Sequence, residues 1–382
     1  MSKSKILILT VPHGAAHERL ATALLRALHN LQRDLDVQVA DALEHCAAWF
    51  RSYYNSYQLP LKYCPPLWSW IENLQHTHPS TGPRWLYRRG ARPLFKFIES
   101  FNPDLLIVTE VGLCEFAATF KRETAARFPL VAVPTGIDLD RAWAQPEVDL
   151  YAVEPRHPAA ALKAWGIPPG KILASGVPVD PVFESLPNRL AARNLLGLAA
   201  GTPLLLILFG GTGVGARPSR LMEALRSIRE PFQLVAMAGR NARLRRHLER
   251  YLEKQPNLRV LGWVDNIHLW MAAADMLIGK PGGNTVFEAI NAGLPLLVHN
   301  PLPGSQRRTC ALIEQWQVGR WIKQPEEMPG AIEFLWSQAQ ELQRLRANAL
   351  ALRHPGAAQA AAQSILALLP APGAKTSAEK TV

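Results

Sequence analysis

The chain has 382 residues, too many for one ordinary core, and 48% of them are hydrophobic, so we expect two folded domains. Its net charge of +11 favours an acidic partner such as nucleic acid, an anionic lipid surface or a phosphorylated substrate. Four scattered cysteines lack metal-site spacing, which favours reduced structural thiols, and no apolar run approaches the ~20 residues that span a bilayer, so no transmembrane helix is predicted.

The N-terminal half alternates apolar runs with helical patterns. Ile6 to Val11 predicts a buried strand that is too short for a signal-peptide core, and a helix is predicted from about Glu18 to Leu31. Further strands are predicted at 37–40, 104–109 and 130–133. This alternation predicts a parallel sheet covered by helices.

The segment from Trp49 to Phe97 interleaves aromatic and basic residues, and Glu72 is its only acid. We expect it to hold the chain on an anionic membrane, because each Lys or Arg near such a surface adds ~1 kcal/mol and amphipathic aromatic rings favour the headgroup zone. The side chains singled out for this role are Trp68, Trp70, Trp85, Arg88, Arg89 and Arg92. Two alternatives stay open, a helical insertion packed on the sheet and a surface for single-stranded nucleic acid, although no nucleic-acid-binding motif accompanies the segment.

After a proline-containing connector at 175–181 the alternation restarts. Strands are predicted at 204–209, 233–238, 258–261, 276–278 and 296–299. A last helix is predicted from about 338 to 369 with a break near Pro355, followed by a disordered tail. The predicted boundaries are an N-terminal domain at 1–175, a linker at 176–200, a C-terminal domain at 201–345, a helix at 346–369 that packs back on the N-terminal domain, and a tail at 370–382.

Residues 280–295 carry the strongest functional signal. A short apolar strand leads into Gly282 and Gly283 and then into an amphipathic helix, so free N–H groups of the helix start point at any ligand that the glycines admit. Glu288 lies one turn beyond Thr285, where its carboxylate can accept hydrogen bonds from sugar hydroxyls. A phosphate followed by a ribose fits both features.

A second glycine-rich turn, Gly210 to Gly215, also follows a predicted strand, where it is either a phosphate cradle or a packing turn. A dinucleotide site would need an acid at the end of the next strand, but that strand ends at Ala238-Gly-Arg240, which disfavours NAD. Arg240 is compatible with NADP, but a dinucleotide-binding fold would leave the glycine-rich motif at 280–295 unexplained.

Candidate proton-transfer groups follow the first strands. His17 lies at a helix start, where the dipole favours the neutral imidazole that a general base needs, and His13 is close by. Three carboxylates are predicted at the same sheet edge, those of Glu110, Asp138 and Asp140. Each of them either assists proton transfer or is a solvated charge or a helix cap.

Together these segments resemble the glycosyltransferases with two facing Rossmann-like domains, the GT-B fold. More narrowly, they resemble monogalactosyldiacylglycerol synthases and processive diacylglycerol glucosyltransferases, which are related to the enzyme that adds N-acetylglucosamine to lipid I. The matching pieces in the N-terminal half are Ile6-Leu-Ile-Leu-Thr, His13-Gly-Ala-Ala-His17, Asn102-Pro-Asp-Leu-Leu-Ile, Pro146-Glu-Val-Asp-Leu-Tyr151 and Ser175-Gly-Val-Pro-Val-Asp180. Those in the C-terminal half, the more specific part, are Gly262-Trp-Val-Asp-Asn-Ile267, Ala273-Ala-Asp-Met-Leu-Ile-Gly-Lys-Pro-Gly-Gly283, Gly293-Leu-Pro and Asn300-Pro-Leu-Pro-Gly304.

The resemblance implies an inverting enzyme that moves galactose or glucose from a UDP-sugar to diacylglycerol or a related lipid, without metal or other cofactor. It implies a peripheral protein on the cytoplasmic face of the cell membrane that does not bind nucleic acid. Backbone groups near Trp263 and Val264 contact the nucleobase, and Glu288 holds the ribose. His17 is the general base or orients the acceptor. The remaining donor-binding residues are Gly14, Gly211, Thr212, Gly213, Gly282, Gly283, Asn284, Thr285, Ser305 and Gln306.

The chain departs from the family at three places, the first of which is the glycine-rich stretch before the histidine, reduced here to Gly14-Ala15-Ala16. Members usually carry Gln-Glu-Glu after the glycine equivalent to Gly304, whereas this chain has Ser305-Gln306-Arg307, and we expect Gln306 to replace a sugar contact. Where members carry Thr-Asp followed by histidines, this chain has Thr135-Gly-Ile-Asp138, and we expect Asp138 or Asp140 to replace the lost carboxylate as a catalytic group. Two alternatives are a transferase of the same fold with an isoprenoid-linked or soluble acceptor, and a non-catalytic sugar-nucleotide sensor.

Overall fold

The computed structural model describes residues 3–12, 15–56, 58–80, 82, 84–213 and 216–370, and its strands form two parallel sheets of six strands each. Sheet 1 has the order β2-β1-β3-β4-β5-β6, and sheet 2 has the order β12-β11-β10-β7-β8-β9. The strands of sheet 1 are β1 (Ser4–Thr10), β2 (Leu35–Asp41), β3 (Leu105–Val108), β4 (Leu130–Ala132), β5 (Leu150–Ala152) and β6 (Ile172–Leu173). Those of sheet 2 are β7 (Leu204–Leu208), β8 (Gln233–Met237), β9 (Leu258–Leu261), β10 (Met276–Gly279), β11 (Leu296–His299) and β12 (Gly319–Ile322).

Helices cover both faces of the two sheets. In the N-terminal half they are α1 (Ala16–Leu31), α2 (Ala48–Asn55), α3 (Gln58–Tyr63), α4 (Pro65–Thr77), α5 (Arg84–Gly90), α6 (Arg92–Phe101), α7 (Val111–Thr124) and α8 (His157–Ala164). Further along they are α9 (Arg189–Leu196), α10 (Pro218–Leu225), α11 (Ala242–Glu249), α12 (Ile267–Ala273), α13 (Gly283–Asn291), α14 (Ser305–Gln315), α15 (Met328–Ser337), α16 (Ala339–Ala351) and α17 (Ala357–Leu366). Short 3-10 helices occur at Ala42–His45, Arg141–Trp143, Pro169–Lys171, Pro181–Glu184 and Pro325–Glu327.

The predicted α/β class with two Rossmann-like halves is confirmed, and each predicted strand is present within one or two residues. The central strands are buried on both faces because helices cover them, so they read as continuous apolar runs such as Ile6 to Leu9. Three short strands at or next to a sheet edge, β5, β6 and β12, were not predicted.

The segment predicted as a linker, 176–200, contains the helix α9, which packs on α12. Arg193 on α9 is buried and donates to Asp275 at 2.6 Å, just before β10. The C-terminal part of the predicted linker therefore belongs structurally to the second half.

The end of the chain returns to the first half. Residues 353–356 break the predicted last helix, and Gly356 adopts a positive φ of 75°. The following helix, α17, packs on α1 through the buried alanines Ala358, Ala361 and Ala362, whose small side chains let the two helices approach closely. The predicted tail beyond Leu369 lies almost wholly outside the described residues.

Within the described part of the chain, no helix is both long enough and apolar enough to cross a bilayer.

Candidate active site

A cleft of about 450 Å³ lies where the carboxyl ends of the strands in the two sheets face each other. The loops after β1, β3 and β4 line it from the first half, and those after β7 to β11 line it from the second half. Ligands of open α/β sheets bind at this edge, because glycine-rich turns and helix N-termini meet there. Of the predicted donor-site residues, all line the cleft except Gly14, which together with His13 lies outside the described residues.

The turn after β10 ends in the N-terminus of α13. Gly282 is its N-cap with φ −70° and ψ 140°, and no side chain of the described residues caps the helix, so the first-turn N–H groups are left to a ligand or solvent. Asn284 in this turn is 3% exposed, yet its Oδ1 atom has no hydrogen-bond partner among the described residues. A buried acceptor without a donor costs free energy, and a ligand that donates a hydrogen bond to Oδ1 would remove that cost.

Gly283 is a position where the two halves approach closely. A Cβ atom there would overlap the carbonyl oxygen of Thr135 from the loop after β4. Only glycine allows this contact. Gly283 therefore lets the two halves approach each other and also leaves the start of α13 accessible to a ligand.

Glu288, the predicted ribose ligand, is 4% exposed and is paired across the cleft. Arg19 on α1 donates from Nη1 to its Oε1 at 2.9 Å. Burial raises the pKa of Glu288, and the charge and hydrogen bond of Arg19 oppose that rise. The predicted site residue therefore already has a cationic partner from the other half.

Two arginine side chains lie close to the ring of Trp263. The guanidinium carbon of Arg240 is 3.9 Å from a Trp263 ring centroid and that of Arg19 is 5.1 Å away. Arg240 also binds Glu18 with both terminal nitrogens, at 2.6 and 2.8 Å. The role of Arg240 is thus to join α1 to the loop after β9, where Trp263 and Val264 line the cleft.

The turn after β7 packs tightly. A Cβ on Gly211 would lie 2.6 Å from that of Ala15, and the Nδ2 of Asn241 donates to the Thr212 carbonyl at 3.1 Å. Gly213 has a positive φ of 65°, which favours glycine. Gly211, Thr212 and Gly213 are therefore a close-packing turn that also forms one wall of the cleft.

His17 is held in one tautomer by its surroundings. Its Nδ1 atom lies 2.8 Å from the carbonyl oxygen of Thr109, which can only accept, so Nδ1 carries the proton. In the neutral ring the lone pair is then on Nε2. This is the arrangement that a general base requires, and His17 lines the cleft.

The carboxylates at this edge have partners that the sequence did not reveal. Asp138 lines the cleft, but its Oδ2 accepts from Nε of Arg308 at 2.5 Å. Asp140 lies 3.2 Å from Nδ1 of His76, and this hydrogen bond raises the pKa of His76. Glu110 caps α7 by accepting from the Leu113 N–H at 3.0 Å, and it also accepts from the hydroxyl of Tyr54.

Glu72 on α4 contacts a loop of the cleft, a contact that its position as the only acid of its segment did not predict. Its Oε1 accepts a hydrogen bond of 2.7 Å from the N–H of Ser305, the first residue of α14. Burial raises the pKa of Glu72, while the Ser305 hydrogen bond lowers it. Gln306, beside Ser305, accepts from the Leu302 N–H at 2.8 Å, and Leu302, Ser305 and Gln306 all line the cleft.

The aromatic and basic segment divides between core and surface. Phe50 and Tyr87 are buried against Phe116, as the packing alternative expected. In contrast, Trp70 and Trp85 are 61% and 68% exposed, whereas Trp68 is half-buried. The basic residues Arg89 and Arg92 are exposed, and Arg88 pairs with Glu123 at 2.7 Å.

Two family models match the chain, one on each half. The model for monogalactosyldiacylglycerol (MGDG) synthase matches residues 17–179, and the glycosyltransferase family 28 C-terminal domain matches residues 205–364.

Curated relatives align over nearly the whole chain. A processive diacylglycerol beta-glucosyltransferase of Bacillus pumilus is 24% identical over 92% of each chain. One from Bacillus cereus is 25% identical over 95% of this chain and 93% of its own length.

Solved structures share the fold at low identity. They include Acinetobacter baumannii MurG, with a TM-score of 0.60, 15% identity and coverage of 96% of this chain and 99% of its own. The glycosyltransferase SnogD of Streptomyces nogalater has a TM-score of 0.56, 17% identity and coverage of 96% and 100%. Anabaena HepE, solved with UDP and glucose, has a TM-score of 0.54, 16% identity and coverage of 96% and 97%.

Proposed function

We propose that this chain, a GT-B glycosyltransferase with a monogalactosyldiacylglycerol synthase-type N-terminal domain and a family 28 C-terminal domain, transfers glucose or galactose from a UDP-sugar to diacylglycerol or a related membrane lipid. The activity of the relatives, processive diacylglycerol beta-glucosyltransferases, supports diacylglycerol as the acceptor. The HepE structure with UDP and glucose supports UDP as the carrier.

The observation that carries the donor assignment is the incomplete corner at the start of α13. First-turn N–H groups without a side-chain cap suit a diphosphate, and Glu288 one turn further suits ribose hydroxyls. The unpartnered Oδ1 of Asn284 needs a donor, which the hydroxyls and the uracil N–H of a UDP-sugar supply.

Lys280, just before the glycines, supports the same assignment. Burial and the nearby Arg217 lower its pKa to about 8, and an anion beside it would favour the charged form again. The first-turn N–H groups and this ammonium stabilise the charge that develops on UDP as it leaves, and our proposal assigns no metal ion to that task.

For the chemistry we assign His17 as the general base. Nε2 removes the proton from the acceptor hydroxyl as its oxygen attacks the anomeric carbon from the side opposite UDP. The bond from that carbon to the diphosphate oxygen breaks, so the configuration inverts. The Thr109 carbonyl keeps Nδ1 protonated and directs the lone pair of Nε2 to this role.

The acceptor is assigned to the side of the cleft next to α4, which contacts the cleft loops through Glu72 and His76. Exposed Trp70 and Trp85 together with Arg89 and Arg92 suit the headgroup zone of an anionic leaflet. A peripheral enzyme on the inner face of the cell membrane would meet both a water-soluble donor and a lipid acceptor there.

The test is direct. Purified protein is incubated with anionic vesicles that contain diacylglycerol and with UDP-glucose, UDP-galactose or UDP-N-acetylglucosamine, and the lipid products are identified by mass. We expect a mass increase of one or more hexoses with UDP-glucose or UDP-galactose. Hexose transfer to a soluble or isoprenoid-linked acceptor alone, or UDP binding without transfer to any lipid, would overturn the proposal.

A further inference from the structure

Arg19 on α1 reaches two groups of the cleft that the second half of the chain provides. Its Nη1 atom donates to Oε1 of Glu288 at 2.9 Å, and its guanidinium carbon lies 5.1 Å from a ring centroid of Trp263. Arg19, Glu288 and Trp263 all line the cleft. Because 24% of the Arg19 side chain is exposed, a ligand in the cleft can contact it.

The guanidinium of Arg19 is held in place before any ligand arrives. The ion pair with Glu288 fixes one of its nitrogens, and the Trp263 ring lies beside its carbon. Arg240 lies 3.9 Å from a centroid of the same tryptophan and binds Glu18, the neighbour of Arg19 in the chain. A pre-organised guanidinium loses less side-chain entropy when it binds, so each hydrogen bond that it makes contributes more to affinity.

The hydrogen-bonding capacity of this pair is only partly used. Within the described residues, the bond from Arg19 is the one hydrogen bond that the Glu288 carboxylate accepts. A carboxylate offers about four acceptor positions and no donor, whereas a guanidinium offers several N–H donors and no acceptor. The pair therefore presents acceptors and donors side by side. A hydroxyl group fits both, since it donates one hydrogen bond and accepts others.

The order of the groups along the cleft indicates which hydroxyl lies there. Glu288 is the proposed ribose ligand, and the loop that carries Trp263 and Val264 is the expected site of the nucleobase. In ribose, C2′ is bonded directly to C1′, which carries the base, whereas C3′ lies towards C5′ and the diphosphate. Because Arg19 is close to both Glu288 and Trp263, its remaining donors lie on the side of the 2′-hydroxyl.

We propose that Arg19 is a specificity-determining residue that donates a hydrogen bond to the ribose 2′-hydroxyl while Glu288 accepts one from it, so that the site selects ribonucleotide donors over 2′-deoxyribonucleotide donors. This inference rests on the proposed function, because it needs the ribose at Glu288. A 2′-deoxyribose leaves the carboxylate and the guanidinium without these bonds, and a site built to bind a hydroxyl strongly rejects an analogue that lacks it. Because Arg19 and Glu288 come from different halves of the chain, the selection requires a closed cleft.

The test measures the affinities of UDP, 2′-deoxy-UDP and 3′-deoxy-UDP by calorimetric titration of wild type and three variants. Arg19→Met keeps much of the apolar length of the side chain but has no N–H donor. Arg19→Lys keeps the positive charge beside Glu288 and loses the planar fork of donors. Arg33→Met is the control, because Arg33 follows α1, is exposed and is not a cleft-lining residue. Thermal melting of each variant confirms that it is folded.

We expect wild type to bind UDP at least about tenfold more tightly than 2′-deoxy-UDP. Arg19→Met should lower that ratio at least about fivefold, because one of the two partners of the hydroxyl is gone. Arg19→Lys should lower it as well, since one ammonium cannot serve the carboxylate and the hydroxyl with the geometry of a guanidinium. Arg33→Met should keep the wild-type ratio.

Three results would count against the account, and they are distinguishable. A wild-type ratio near one, or the wild-type ratio in both Arg19 variants, overturns this inference alone. An equal change in the ratio of UDP to 3′-deoxy-UDP overturns the assignment to the 2′-hydroxyl. If wild type does not bind UDP at all, the proposed function falls first and takes this inference with it.

Discussion

Arg19 on α1 donates from Nη1 to Oε1 of Glu288 on α13 at 2.9 Å, which joins the two halves of the molecule across the cleft. Glu288 is nearly buried, so removing Arg19 would leave a buried charge without its partner. Under our proposal Glu288 also holds the ribose. Arg19 then has two tasks, to keep Glu288 ionised and to set the closure of the cleft around the nucleotide.

The pair predicts a pH dependence of stability. Burial raises the pKa of Glu288 above its ordinary value of 4.5, and Arg19 opposes that rise. A carboxyl with a raised folded-state pKa binds its proton more tightly when folded, so stability is lost as pH rises through the window above 4.5. In Arg19→Ala the opposing charge is gone and this loss becomes larger.

Thermal melting between about pH 5 and about pH 7 checks this expectation. The melting temperature of Arg19→Ala should fall relative to wild type as pH rises. The double variant Arg19→Ala with Glu288→Gln has no titrating group at this site and should not show the fall. An equal deficit for Arg19→Ala at every pH would contradict the coupling.

His17→Gln tests the assignment of the base. The amide cannot take up the acceptor proton, so the transfer rate should drop by roughly 10²- to 10⁴-fold. The affinity for UDP should stay within about twofold of wild type, because the diphosphate is assigned to α13 rather than to His17. Transfer at a near-wild-type rate would exclude His17 as the base.

Asn284 and Asn291 form a matched pair on α13. Both have a buried Oδ1 without a partner in the described part of the chain, but Asn284 lines the cleft and Asn291 does not. Asn284→Ala should weaken UDP-sugar binding about fivefold, as expected for the loss of one hydrogen bond. Asn291→Ala should leave binding unchanged in the same titration, and an equal loss in both variants would show that the effect is structural.

Vesicle binding tests the exposed aromatic face. Trp70→Ser with Trp85→Ser should lower the bound fraction on anionic vesicles in a flotation assay, because both side chains are more than half exposed. The control, Leu190→Ser with Leu195→Ser, removes two comparably exposed apolar side chains from α9. Equal loss in both pairs would indicate non-specific adsorption.

The basic residues give a separate measurement on the same vesicles. Neutralising Arg89 and Arg92 should weaken binding about thirtyfold at low salt, since each contributes ~1 kcal/mol near an anionic surface. Arg88 should matter less, because Glu123 already pairs with it. Binding that is insensitive to both substitutions and to salt would place the membrane contact elsewhere.

The fold and the position of a glycine-rich helix start in the cleft were predictable because they depend on local signals. Apolar runs predicted the long strands, and the glycines before α13 predicted an anion site. The partners of the site residues were not predictable, since Arg19 and Glu288 are 269 positions apart and Glu72 and Ser305 are 233 apart. These contacts form only when the two folded halves meet. The periodicity of apolar residues along the chain does not predict which residues meet there.

The measurement that tests the account most directly is a crystal structure of the protein with UDP. We expect the diphosphate on the N–H groups at the start of α13, a hydrogen-bond donor of the nucleotide on Oδ1 of Asn284, and the ribose hydroxyls on Glu288. UDP bound elsewhere in the chain at full occupancy, with the start of α13 left to solvent, would contradict it.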